Sequence, residues 1–199
     1  MIERISYALS ALFLLFSPPA FAHEAGEWYV RAGLHTVAPQ SKGDIVKVGN
    51  DTMVTFDVTY MVTENWAIGL LAAAPFKHEL SLLDGTEVGV TKHLPPTLTA
   101  EYHFNTHGRF QPYVGVGLNV TLFFQEYLSG PLAGNTLTLD NSNGLSAVVG
   151  VDVALGNHWY ASADFRWFDI NTDAKVNGGD LGTVKIDPLG FGIRLGRKF

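Results

Sequence analysis

From residue 27 onward the chain alternates apolar and polar side chains in segments of about ten residues, long enough for a tilted strand to cross a bilayer. Eight such segments are legible: 27–37, 52–62, 66–76, 96–104, 112–123, 144–155, 159–170 and 185–199. In the first, Trp28, Val30, Ala32 and Leu34 share one face, with Tyr29, Arg31, Gly33 and His35 on the other. The third places Trp66, Ile68, Leu70, Ala72, Ala74 and Phe76 on one face. Short turns at Thr63-Glu64-Asn65, 105–108 and Gly156-Asn157-His158 alternate with longer connections, among them 77–93, 125–142 and a stretch with Gly178-Gly179. This pattern predicts an all-β fold, an eight-stranded antiparallel transmembrane β-barrel of the outer-membrane type.

Alternation alone also fits a soluble barrel with its apolar face inside. The chain start favours the membrane version. Residues 1–22 hold a head with Arg4, an apolar run over 5–16, Ser17-Pro18-Pro19 and then Ala20-Phe21-Ala22, the pattern of a cleaved signal peptide. One barrel domain over 23–199 follows from that reading. No later run reaches about 18 apolar residues, so membrane crossing, if it occurs, is by strands. Trp28, Trp66, Phe76, Tyr102, Phe104, Trp159 and Trp167 fall outward near strand ends, as aromatic girdles do. The chain closes on Phe199, an assembly signal of such barrels.

The net charge of -6 argues against a nucleic-acid partner. With no cysteine, the fold does not rely on disulfides. Seven histidines show no metal-ligand spacing, and Ser162 near Asp164 lacks the G-x-S-x-G context of a hydrolase nucleophile. No cofactor and no catalytic activity are expected.

Five stretches carry a resemblance: His23-Glu24-Ala25-Gly26-Glu27 with Arg31-Ala32-Gly33; Ala72-Ala73-Ala74-Pro75-Phe76-Lys77-His78; His93-Leu94-Pro95-Pro96-Thr97; Pro112-Tyr113-Val114-Gly115-Val116-Gly117; and Ile186-Asp187-Pro188 ahead of Phe199. In this order they resemble the OmpW family of small outer-membrane proteins, which includes the alkane-uptake protein AlkL. The resemblance implies a monomeric barrel in the bacterial cell outer membrane, in contact with membrane lipid, lipopolysaccharide and the barrel-assembly machinery. It also implies passive uptake of small hydrophobic molecules or, alternatively, a role as a bacteriocin or phage receptor whose loops bind a partner. One position departs from the family pattern: Arg197 stands where an aromatic or apolar residue is usual.

Inward positions assign Arg31, Asp57, Glu101, Asp152, Asp164, Arg166 and Arg194 to the lumen. In a barrel just wide enough for side chains to fill, such charges must pair. They are expected to plug the middle and lower lumen. Met53, Leu71, Pro75, Phe123, Val148 and Phe168 are expected to line an apolar upper lumen. Pro75, Pro95 and Pro96 meet at one inter-strand seam, and proline cannot donate to a ladder. A lateral opening is expected there, through which a hydrophobic solute passes into the membrane. An enzymatic rival, a lipid A acyltransferase, would need a His/Ser pair at the outer rim.

Overall fold

The computed structural model describes residues 23–40 and 46–199; the expected signal segment, 1–22, lies outside the described residues. In chain order the strands are β1 (Trp28–Ala38), β2 (Val46–Val48), β3 (Asp51–Met61), β4 (Trp66–Ala73), β5 (Phe76–Leu82), β6 (Glu87–Leu94), β7 (Thr97–His103) and β8 (Phe110–Leu128). After a short 3-10 turn come β9 (Leu137–Leu139), β10 (Ser142–Gly156), β11 (Trp159–Phe168), β12 (Asn171–Val176), β13 (Gly179–Lys185) and β14 (Leu189–Lys198).

Eight strands close into a ring of antiparallel neighbours, β1–β3–β4–β7–β8–β10–β11–β14 and back to β1. The closing pair runs from Tyr29↔Lys198 to Ala38↔Leu189. The ring leaves no open edge, which a sheet in hydrocarbon cannot tolerate. Its outer surface is apolar: Val116 is 68% exposed, Leu118 62% and Ile193 54%. Its interior holds Arg31, Asp57, Glu101 and Asp152, each essentially buried. This polarity is the reverse of a water-soluble barrel. At the short-turn end, Trp28 packs on Tyr60 (4.8 Å between ring centres) and Trp66 on Tyr102 (5.1 Å), forming a belt on the outer face.

The short turns follow local chemistry. Thr63 Oγ1 accepts from the backbone N–H of Asn65 (3.2 Å) and of Trp66 (2.9 Å). Gly156, Asn157 and His158 turn the chain with positive φ, which glycine and asparagine adopt most easily. The glycines of β14 have a packing role: a Cβ at Gly190 or Gly196 would run into the His35 ring or the Arg31 stem.

Three sequence readings need correction. First, 77–93 is not a loop: β5 and β6 form a hairpin that continues the barrel wall upward, from Phe76↔His93 to Ser81↔Glu87. Likewise 125–142 contains the end of β8 and β9, and the Gly178-Gly179 stretch is the tip of the β12–β13 hairpin. Second, Phe76 is not lipid-facing; it is 1% exposed and points inward. The strand breaks at Ala74–Pro75, and that one-residue irregularity inverts the alternation, so the even positions Phe76, His78 and Leu80 turn inside. Third, the last barrel strand begins at Leu189; Lys185 ends the separate strand β13.

Candidate functional site

The inward side chains of β1 pass through three layers of the lumen: Tyr29 at the short-turn end, Arg31 and His35 in the middle, Val37 at the top. The lowest layer is an aromatic plug in which Tyr29, Met61, Ala67, Ala154 and Tyr160 form one buried cluster. His23 is tucked beneath it, its Nδ1 hydrogen-bonded to the Tyr29 hydroxyl (2.5 Å). Its backbone N–H donates to the Thr106 carbonyl (3.1 Å).

The middle layer brings together six of the seven expected lumen charges. Arg31 donates to Asp57 (2.5 Å) and Asp152 (2.6 Å), and to the Thr59 hydroxyl (3.1 Å). Arg166 lies 3.4 Å from Asp164 and 3.9 Å from Asp57, and Arg194 is paired with Asp164. Ser162 donates to Asp152. Three bases thus face three acids in one connected network with no formal excess charge. Glu101 stands apart from it, accepting from Thr99 Oγ1 (2.9 Å) and contacting His103 (3.3 Å). An ion crossing this layer would have to displace such pairs.

The top layer is a partly open chamber of about 600 Å³ lined by the hairpins above the barrel rim. Among the described residues that line it, none is acidic and none is lysine or arginine. Val37, Leu80, Val88, Leu128, Leu139 and Ile170 are typical of its walls. Of the residues read as an apolar upper lumen, Phe123 lines this chamber. Leu71 and Phe168 pack with Ile170 into a buried cluster against which Phe123 and Ile186 rest. Val148 sits lower, in register with Arg166, and Met53 is half-buried opposite His35. Pro75 is exposed.

Beside the chamber the barrel wall is interrupted. The β4–β7 ladder ends at Leu71↔Thr97, and pairing resumes only at Phe76↔His93. Continuing the register would set Ala73 opposite Pro95, which has no N–H to donate. Pro75 and Pro95-Pro96 therefore flank the gap from both sides. Asn119, buried on β8, spans its rim: its amide donates to the Pro95 carbonyl (3.3 Å), the Pro96 carbonyl (3.4 Å) and Thr97 Oγ1 (2.8 Å). Thr121 in turn donates to Asn119 Oδ1 (2.7 Å). Asn119 and Thr97 Oγ1 together satisfy the Pro95 carbonyl, which has no partner strand, while the Pro96 carbonyl also accepts from the Val120 N–H of β8.

Sequence reasoning missed Asn119, although an asparagine between outward Leu118 and Val120 is an inward polar residue by the same parity rule. It also missed His78, Thr91 and His93, because they lie in what read as a loop. Phe76, His78 and His93 stack as a tier of nearly parallel rings, His78 and His93 4.9 Å apart at 10°. Burial pushes the His93 imidazole down to about 3, and His78 shifts the same way for the same reason. Both rings are neutral at physiological pH. Among the described residues no group of three or more acidic, histidine or cysteine side chains could hold a metal ion.

The family model described as OmpW family matches residues 24–199. The outer membrane protein W of Vibrio cholerae is 39% identical, over 96% of this chain and 97% of that protein. The outer membrane protein AlkL of Ectopseudomonas oleovorans is 33% identical, over 77% of this chain and 68% of its own length. Among solved structures, the crystal structure of the outer membrane protein OprG from Pseudomonas aeruginosa superposes with a TM-score of 0.80 at 30% identity, covering 91% of this chain and 99% of that one.

Proposed function

Since this chain belongs to the OmpW family and is an outer-membrane β-barrel, we propose that it is a passive channel for small hydrophobic molecules, which it releases sideways into the membrane. The observation that carries this reading is the juxtaposition of an apolar chamber, a layer of paired charges beneath it and an unpaired seam beside it. An apolar solute gains by leaving water for the chamber, by about 25 cal/mol for each Å² of apolar surface buried. It gains nothing by going further down, where entry would strip partners from Arg31, Asp57 and Asp152. The low-cost exit is lateral, between the Pro75 and Pro95-Pro96 sides, into hydrocarbon. No chemical step is required, so the barrel acts as a passage and not as a catalyst.

Reconstitution tests this directly. Barrel-containing asymmetric vesicles with lipopolysaccharide in the outer leaflet should take up an apolar fluorescent probe several-fold faster than protein-free vesicles. Small-ion conductance should stay at background. Open ion conductance without faster probe uptake would refute the reading.

A further inference from the structure

The chamber is apolar but not uniformly so. Its polar lining side chains are His78, Thr91, His93, Thr172 and Thr183. The two on the β12–β13 side are satisfied internally: Thr172 donates to the Asp140 carbonyl (2.6 Å) and Thr183 to Asp173 (2.6 Å). The three on the β5–β6 side differ. His78 Nε2, Thr91 Oγ1 and His93 Nε2 are buried and have no hydrogen-bond partner among the described residues. They are neighbours, because β5 and β6 pair His78 with Thr91 and Phe76 with His93. Three adjacent buried polar atoms without partners are costly unless a ligand supplies them.

The tautomer of His78 fixes what it can accept. Its Nδ1 lies 2.6 Å from the Gly49 carbonyl, which can only accept, so Nδ1 carries the hydrogen. Nε2 of the neutral ring is then a bare acceptor. The hydroxyl of Thr91 can donate as well as accept. A single hydroxyl on a ligand complements both, donating to His78 Nε2 and accepting from Thr91 Oγ1. An ether or a ketone lacks the donor, and an alkane lacks both functions. A carboxylate would find no lysine or arginine among the described lining residues, only a histidine pair whose burial disfavours its charged form.

We propose that His78, Thr91 and His93 form a polar subsite that selects neutral hydroxylated molecules, phenols and alcohols with a small apolar body, over plain hydrocarbons of the same shape. The inference rests on the uptake reading above and narrows its substrate class. The hydroxyl anchors against the β5–β6 wall, immediately above the Pro75 and Pro95-Pro96 seam, while the apolar body lies against Phe123 and the aliphatic walls.

The test uses the purified barrel in nanodiscs and four probes of one shape: toluene, p-cresol, p-methylanisole and p-toluate. Binding is followed through the histidine ring resonances, and each affinity is corrected for partitioning into empty nanodiscs. The expected order is p-cresol about tenfold tighter than toluene, the worth of a hydrogen bond to a desolvated acceptor. p-Methylanisole, whose oxygen can still accept from Thr91, should fall between toluene and p-cresol, and p-toluate should bind no better than toluene. His78→Phe and the isosteric Thr91→Val should each bring the ratio of p-cresol to toluene affinity toward one, and unshifted resonances of the histidines outside the chamber show that the barrel is folded. Equal binding of p-cresol and toluene, or a preference that survives both substitutions, overturns the subsite. If toluene itself neither binds nor crosses faster than without protein, it is the uptake reading that fails.

Discussion

The middle of the lumen and the chamber above it are built from the same kind of position, the inward side chains of a closed antiparallel ring, yet they solve opposite problems. In the middle, Arg31, Arg166 and Arg194 are neutralised by Asp57, Asp152 and Asp164, and each strand is bonded to its neighbour along its length. In the chamber the described lining carries no acidic side chain, lysine or arginine, and parts of the wall are left unpaired, among them the seam between 72–75 and 94–96. The lower region gains rigidity and closure from dense polar pairing. The upper region gives up part of that pairing around a cavity and, in the function proposed above, for an exit. A passage for apolar molecules needs both, since a chamber without a floor would leak ions and a floor without a seam would trap the solute.

The largest expected effect comes from breaking the lower region. Arg31→Met leaves Asp57 and Asp152 buried without their shared cation. Removing one partner of a buried ion pair costs about 3–5 kcal/mol. The change should appear as a lower urea midpoint for unfolding from lipid, and replacing all three residues together with apolar ones should recover much of it. In the upper region, Pro75→Val supplies a backbone N–H at the seam. Uptake of an apolar probe should fall several-fold while unfolding moves little. Unchanged uptake would detach the prolines from transport.

Removing the rim network should be milder. Asn119→Ala frees the Pro95 carbonyl from one of its two donors, and hydrogen exchange should rise at Val120, whose N–H donates to Pro96. The chamber should also respond to acid. The folded-state His93 value near 3 lies below the unfolded 6.5. Its contribution is complete above about pH 6.5 and is lost as pH falls toward 3, because the unfolded segment binds the proton first. Exchange in the β5–β6 hairpin should therefore quicken over that window. The smallest effect is expected at the rim, where Lys175→Ala removes an exposed ion pair to Asp140 (2.8 Å) and unfolding should not change measurably.

How much of this was legible in the sequence follows the same division. The barrel strands were readable because a ring between two solvents enforces period 2, and Arg31, Asp57 and Arg194 could be placed inside by parity alone. Their partnerships could not, since Arg31 and Asp152 are 121 positions apart. The chamber was hidden for a different reason. The break at Pro75 inverts the alternation and turns Phe76 and His78 inward, and Gln125 adopts a positive φ near the top of β8. Strands such as β9 exist only through a distant pairing, Leu139↔Ala174, within segments whose composition reads as loop. Local irregularity therefore marked the functional end of the molecule.

The account turns on sideways release at the gap. The chain has no cysteine, so Ala74→Cys with Leu94→Cys, which keeps all three prolines, places the only two thiols across that gap. A short bifunctional thiol reagent with a cleavable link can then bridge them in intact cells. The account predicts that bridging reduces uptake of an apolar probe to the level of cells lacking the protein, and that cleaving the link restores it. Uptake that proceeds undiminished through a bridged seam would contradict it.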